Sequence, residues 1–308
     1  IIFLPVIAVG AMWSQGQSEG MRKLSLADFA ITNLYVDEVD ENKLVEDAIR
    51  GMLDKLDPHS TYTTVEETRE MNEPLQGNFS GVGIQFNMNK DTLYVIQTIV
   101  GGPSEKVGIL AGDRIIAVND TTIAGVKMKN TDIMKRLRGE SGTVVRVTVL
   151  RKGVKEPIEF RIVRDKIPIY SIDASYMADK ETGYIRVSRF AVTTDKEFSD
   201  AIKELKKKGM KNLIVDLQGN GGGFLTSAIA MADEFLADGQ SIVYTEGRRS
   251  PRDDAFASKR GQFQKGKLVL LVDESSASAS EILSGAIQDW DRGIIVGRRT
   301  CLLYTSPS

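Results

Sequence analysis

Residues 268–290 read Leu268-Val-Leu-Leu-Val-Asp-Glu-Ser-Ser-Ala-Ser-Ala-Ser-Glu-Ile-Leu-Ser-Gly-Ala-Ile-Gln-Asp-Trp290. The apolar run Leu268 to Val272 is the pattern of a buried strand. Ile282, Leu283, Ala286, Ile287 and Trp290 then recur at helical spacing. Ser275, Ser276, Ser278 and Ser280 lie between, interleaved with Ala277 and Ala279. A strand that feeds a helix through small residues sets a hydroxyl at a helix N-terminus. Unpaired N–H groups and the helix dipole favour a developing negative charge there. The same residues also satisfy an N-cap, because Ser278 and Glu281 have capping-box spacing. Local pattern leaves both readings open.

A second strand–helix junction lies upstream. Asn212 to Leu217 reads as a buried strand, followed by Asp216-Leu-Gln-Gly-Asn-Gly-Gly-Gly223 and a helix over 225–236. Glycines there let backbone N–H groups approach a ligand closely. Phosphate binding lacks the Lys-Ser/Thr of a P-loop. Turn residues and an oxyanion hole remain as readings. Two such junctions in one sheet can face each other at one edge. Strands alternating with helices from Ile167 onward argue a layered α/β core. They include Gly183 to Phe190, a helix from Thr194 to about Lys208, and Ser241 to Tyr244.

The chain has 308 residues, a net charge of −2, one cysteine (Cys301) and one histidine (His59). An internal disulfide framework and a cysteine-built zinc site are excluded. A histidine-rich metal site is excluded as well. The charge balance gives no argument for nucleic acid. His59 sits in a turn-like Leu-Asp-Pro-His-Ser stretch, where a structural role fits. His59 could still reach the serines in space as a base; a lysine with its pKa lowered by burial is the reading preferred over it for a serine nucleophile.

Residues 1–12 are apolar and precede a Gln/Ser/Gly-rich linker at 14–20. They resemble the end of a signal peptide or membrane anchor, which makes 1–20 a remnant of one. Residues 21–76 read as helical, with a cap signal at Ser25 to Asp28, a second helix ended by Pro58, and a third over 66–71. Residues 77–166 are β-rich with two short helices.

Within them, Gly81-Val-Gly-Ile84 and Gly102-Pro-Ser-Glu-Lys-Val-Gly-Ile-Leu-Ala-Gly-Asp-Arg-Ile-Ile-Ala-Val-Asn119 resemble a PDZ domain. That resemblance implies that Gly81, Val82, Gly83 and Ile84 form the loop that receives a peptide's terminal carboxylate. The peptide then adds as a strand to the sheet edge.

Taken together, the chain is similar to the carboxy-terminal processing peptidases, or tail-specific proteases. The likeness rests on the helical stretch ending Leu56-Asp-Pro-His-Ser60, the PDZ segment, the Asp216–Gly223 tract and Ser276-Ala-Ser-Ala-Ser-Glu-Ile282, in that order. It implies a crotonase-like α/β protease core over 167–300 with an inserted PDZ domain and a metal-free Ser–Lys dyad. It implies Ser278 as nucleophile, and the N–H groups of Ala279 and Gly222 as the oxyanion hole. Ser276 and Ser280 would support them. The substrates implied are exported or envelope proteins with free C-termini, in the periplasm or at its membrane face. No cofactor is implied.

The chain departs from the family after Gly297-Arg-Arg-Thr300. The family continues Phe-Gly-Lys-Gly, with a glutamine four residues after the lysine. Those places fall at Leu303 and Pro307. The expectation is a non-native tail over 301–308, a chain incomplete at both ends, and no peptide cleavage as written. The rival reading is an inactive PDZ peptide-binding scaffold.

Overall fold

The computed structural model describes residues 18–58 and 60–301. The apolar run 1–12, His59, Leu303 and Pro307 lie outside the described residues. The chain divides into two compact units between Arg69 and Glu70.

The first unit is helical. Helix α1 spans Glu19–Leu34 and α2 spans Glu41–Leu53. The α1 cap is Ser18, whose Oγ accepts from the Met21 N–H, rather than the expected Ser25. Ser25 lies inside the helix and donates its hydroxyl to Met21 O at 3.0 Å, the back-bonding that mid-helix serines adopt. Asp40 caps α2 by accepting from Lys43 N. The expected end of α2 at Pro58 is also corrected, because the helix stops at Leu53. A proline offers no N–H to the preceding turn and disfavours helical backbone just before it, so the last turn unwinds early. Helix α3, Val65–Asn72, follows.

The second unit starts at Glu70, within α3, and continues with a short 3₁₀ turn, Glu73–Gln76. Strand β1 (Asn78–Gly81) leads into β2 (Ile84–Asn89), β3 (Thr92–Thr98), α4 (Pro103–Val107), β4 (Arg114–Val118) and β5 (Thr121–Thr122). Helix α5 (Asn130–Leu137), β6 (Val144–Leu150) and β7 (Ile158–Val163) complete this part. The sheet order is β2-β3-β4-β6-β7, so β2 is an edge strand. Leu93, Ile115, Ile133, Val145, Val147, Val149 and Ile162 fill its core, each at most 1% exposed. Each fully buried aliphatic side chain stabilises such a core by about 1.5–3 kcal/mol. Strand β8 (Asp165–Pro168), absent from the sequence reading, pairs antiparallel with β1. The chain therefore enters and leaves this β-rich part through one two-stranded ribbon.

Beyond the ribbon lie β9 (Ile172–Met177), β10 (Thr182–Val187), α6 (Thr194–Lys207), β11 (Asn212–Asp216) and α7 (Leu225–Asp233). The hairpin β12 (Ser241–Gly247) and β13 (Ser250–Phe256), then β14 (Leu268–Val272), α8 (Ala279–Asp289) and β15 (Ile294–Gly297), follow. One sheet runs β15-β14-β11-β10-β9, parallel except for its β9 edge. Phe190, Phe198, Ile202, Val215, Met231, Phe235, Leu270 and Leu283 are wholly buried around it. The expected helix over 225–236 ends at Asp233. Among the described residues, no helix is long and apolar enough to cross a membrane.

Candidate active site

Strands β11 and β14 are parallel neighbours. The loops that follow them therefore leave the same sheet edge, where open α/β sheets place their ligand sites. The first loop is the glycine tract; the second carries the serines.

The glycine loop starts from a pinned carboxylate. Asp216 is 3% exposed. It accepts from the Tyr184 hydroxyl and from Gln218 N, and Arg186 lies 3.5 Å away. Burial, then this bond to Asp216, pushes the Tyr184 phenol up to about 12. Asp273, just past β14, spans the two loops. It accepts from Gly219 N at 3.0 and 3.1 Å and from Ser275 N at 3.0 Å. The Gly219 N–H is the main reason its carboxyl is held below the usual range.

Ser276 and Ser280, both fully buried, tie the loops together. Ser276 Oγ donates to Leu217 O and Ser280 Oγ donates to Asn220 O, each at 2.9 Å. Ser278 is exposed between them and serves as the N-cap of α8, with φ 53° and ψ −112°. A non-glycine residue there costs on the order of 1–3 kcal/mol and persists only if its surroundings hold it. Glu281, 4% exposed, does so: its Oε2 accepts from Ser278 N at 2.8 Å, while its Oε1 accepts from Thr300 Oγ1. Capping and exposure of the hydroxyl loop are thus two sides of one geometry. The box read from Ser278 and Glu281 is present, and it is what presents Ser278 at the helix N-terminus.

The two loops touch. A Cβ built on Gly222 would lie 2.8 Å from Ala277 O, 2.8 Å from Ser278 Cβ and 3.1 Å from Ala279 N. Among the described residues the Ala279 N–H has no hydrogen-bond partner. The Gly222 N–H does have one, because it donates to Asn220 Oδ1 at 2.9 Å. It reaches an oxyanion only by leaving that side chain. The sequence reading did not single out Asp273 or Asn220. Both sit in loops flagged for their serines and glycines, and Asn and Asp in such loops commonly hydrogen-bond nearby backbone.

A second candidate site lies between β1 and β2. Val82 is 4% exposed, and its carbonyl accepts from Ser104 N and Ser104 Oγ. Gly83 has φ +73° and packs against Ile167 and Pro103. Among the described residues, nothing engages the N–H groups of Val82 and Gly83. They open beside the edge strand β2, the arrangement that β-strand addition of a peptide terminus uses.

A layered α/β core carrying a serine at a helix N-terminus, joined to a PDZ domain, defines a class of serine peptidase. Comparison agrees. Peptidase family S41 matches residues 181–302, the PDZ domain matches 80–162, and the activating protease CtpB N-terminal domain matches 9–68. The chain belongs to family S41, in its carboxy-terminal processing group with a PDZ domain.

It is 37% identical to the carboxy-terminal-processing protease of Bartonella bacilliformis, over 86% of this chain and 61% of that one. It is 35% identical to the carboxy-terminal processing protease CtpA of Bacillus subtilis, over 90% and 59%. The solved photosystem II D1 C-terminal processing protease is 27% identical, covering 92% of this chain and 82% of that one, at a TM-score of 0.47. The chain spans about three fifths of the length of these curated relatives.

Proposed function

We propose that this is a serine endopeptidase acting on exported proteins, with a crotonase-like core and a PDZ domain that reads substrate C-termini at Gly81–Ile84. The supporting observation is Ser278. It is an exposed hydroxyl in strained backbone at a helix N-terminus, against a glycine loop and beside the free Ala279 N–H. Ser278 Oγ attacks the scissile carbonyl, its proton passes to a lysine base, and backbone N–H groups hold the oxyanion. The acyl–enzyme forms as the amine leaves, and water then releases the acid.

Position 303, where the family's lysine falls, is leucine in this chain. Loss of a dyad base typically costs a thousandfold or more in rate. Cleavage of an unfolded tail-bearing protein is therefore expected when residues 301–308 are replaced by Phe-Gly-Lys-Gly and a family-like continuation, and not from the parent chain. Adding Ser278→Ala abolishes it. Equal cleavage by the parent overturns the lysine assignment, and cleavage that survives Ser278→Ala overturns the nucleophile. Export is inferred from the apolar run 1–12 and the linker at 14–20. Cell fractionation tests it, and a wholly cytosolic protein contradicts it.

A further inference from the structure

Asn220 is fully buried and every polar group it carries is used. Its N–H donates to Leu217 O at 3.1 Å. Its carbonyl accepts from Ala277 N at 3.1 Å and from Ser280 Oγ at 2.9 Å, on either side of Ser278 in sequence. Its side chain donates Nδ2–H to Val187 O at the end of β10 and accepts the Gly222 N–H on Oδ1, both at 2.9 Å. One residue thus joins a core strand, the glycine loop and the serine loop.

The side chain also sets a peptide plane. The Gly222 N–H is held by Asn220, and the Gly222 carbonyl accepts from Phe190 N at 3.0 Å. In a trans peptide the C=O and the following N–H point in opposite directions. The Gly223 N–H is therefore turned away from Phe190, and it has no partner among the described residues. Gly222 itself lies against Ser278 and Ala279.

We propose that Asn220 is a positioning residue that, by fixing Gly222, aims the Gly223 N–H at the carbonyl oxygen attacked by Ser278, opposite the Ala279 N–H. This rests on the peptidase reading and replaces Gly222 by Gly223 as the glycine donor. The Asn220 carboxamide donates to Val187 O from one arm and accepts from Gly222 N on the other. Aspartate loses the donor to Val187 O, and the repulsion between its buried carboxylate and that carbonyl drives the side chain off the Gly222 N–H as well. Alanine reaches neither partner.

Two measurements on the whole chain test this. Amide hydrogen exchange followed by NMR reads the loop directly. Gly222 should be protected and Gly223 should exchange freely in the parent, and Asn220→Asp should abolish the Gly222 protection. Protection of Gly223 with free exchange at Gly222 overturns the proposal, whether or not the chain cleaves anything.

The second probe is a peptide boronic acid, which forms a tetrahedral adduct with a serine oxygen as the hydroxyl proton leaves to solvent. Asn220→Asp should weaken it about 100-fold, the effect of one lost oxyanion donor. Affinity for the same peptide as a plain amide should stay within about threefold. Equal losses for both ligands, or none, overturn the positioning role. If Ser278→Ala binds the boronic acid as the parent does, the nucleophile assignment fails, and the exchange pattern still decides Asn220. Where Asn220→Asp does not fold, the parent's exchange pattern decides alone.

Discussion

Replacing Gly222 by alanine tests how tightly the glycine loop and the serine loop are fitted. Gly222 has φ +102°, and its added methyl would meet Ala277 O and Ser278 Cβ at 2.8 Å and Ala279 N at 3.1 Å. The conformation alone costs an L-residue about 1–2 kcal/mol. Two of the three contacts are backbone, which cannot swing aside as a side-chain tip would. Overpacking of that kind costs about 1–3 kcal/mol. A middle figure of about 3 kcal/mol lowers the melting temperature of a domain this size by roughly 6–12 °C.

Gly285→Ala is the matched control. Gly285 lies inside α8, and a Cβ there meets nothing within 4 Å. Alanine at an interior helix position gains about 0.5–1 kcal/mol over glycine. Scanning calorimetry of the two variants should move the melting temperature in opposite directions. Peptide boronic acid affinity should fall about 100-fold for Gly222→Ala, because a displacement near 1 Å at a reacting centre has that effect. Gly222→Ala melting within about 2 °C of the parent, with boronic acid affinity within about threefold, would refute the close-fit reasoning.

Further outcomes follow from ionised groups. Asp113, 1% exposed, receives Arg151 Nε and Nη2 on its two oxygens at 2.8 and 2.7 Å. Arg151→Ala strands a buried carboxylate and should destabilise the PDZ part by about 3 kcal/mol, read by chemical denaturation. The depressed Asp273 carboxyl stabilises the folded state above its unfolded pKa near 3.9 and stops doing so as pH falls through its lower folded value. Acid titrations of the parent and Asp273→Asn should therefore diverge at neutral pH and converge in strong acid; parallel curves throughout contradict the role given to Asp273. The raised Tyr184 phenol works in the opposite direction. Its contribution is complete below the unfolded value of about 10 and is lost as pH rises to about 12. Ultraviolet titration should show one late-ionising tyrosine that disappears in Tyr184→Phe.

Much of the architecture was legible from periodicity. Leu268–Val272 and Asn212–Asp216 are strands, and a helix follows each within nine residues, as apolar runs bounded by Gly and Ser require. The β-rich segment 77–166 was legible because its glycines and alternating strands are local signals. Of the β12–β13 hairpin only Ser241 to Tyr244 was read, and the charged strand β13 and strands β8, β9 and β15 were missed. β8 depends on β1, a partner far away in sequence. No window of a few residues encodes such pairing.

The candidate site divides along the same line. Residue types and order alone placed a run of serines at a strand–helix junction beside a glycine loop, because such a junction is a local feature; they left cap and nucleophile open, and the family resemblance singled out Ser278. Which N–H of that loop is free was decided only by tertiary structure. It depends on Phe190, Val187 and Asn220 meeting around Gly222. Glycine has no side-chain preference to announce its peptide plane, so neighbours brought together by the fold must set it.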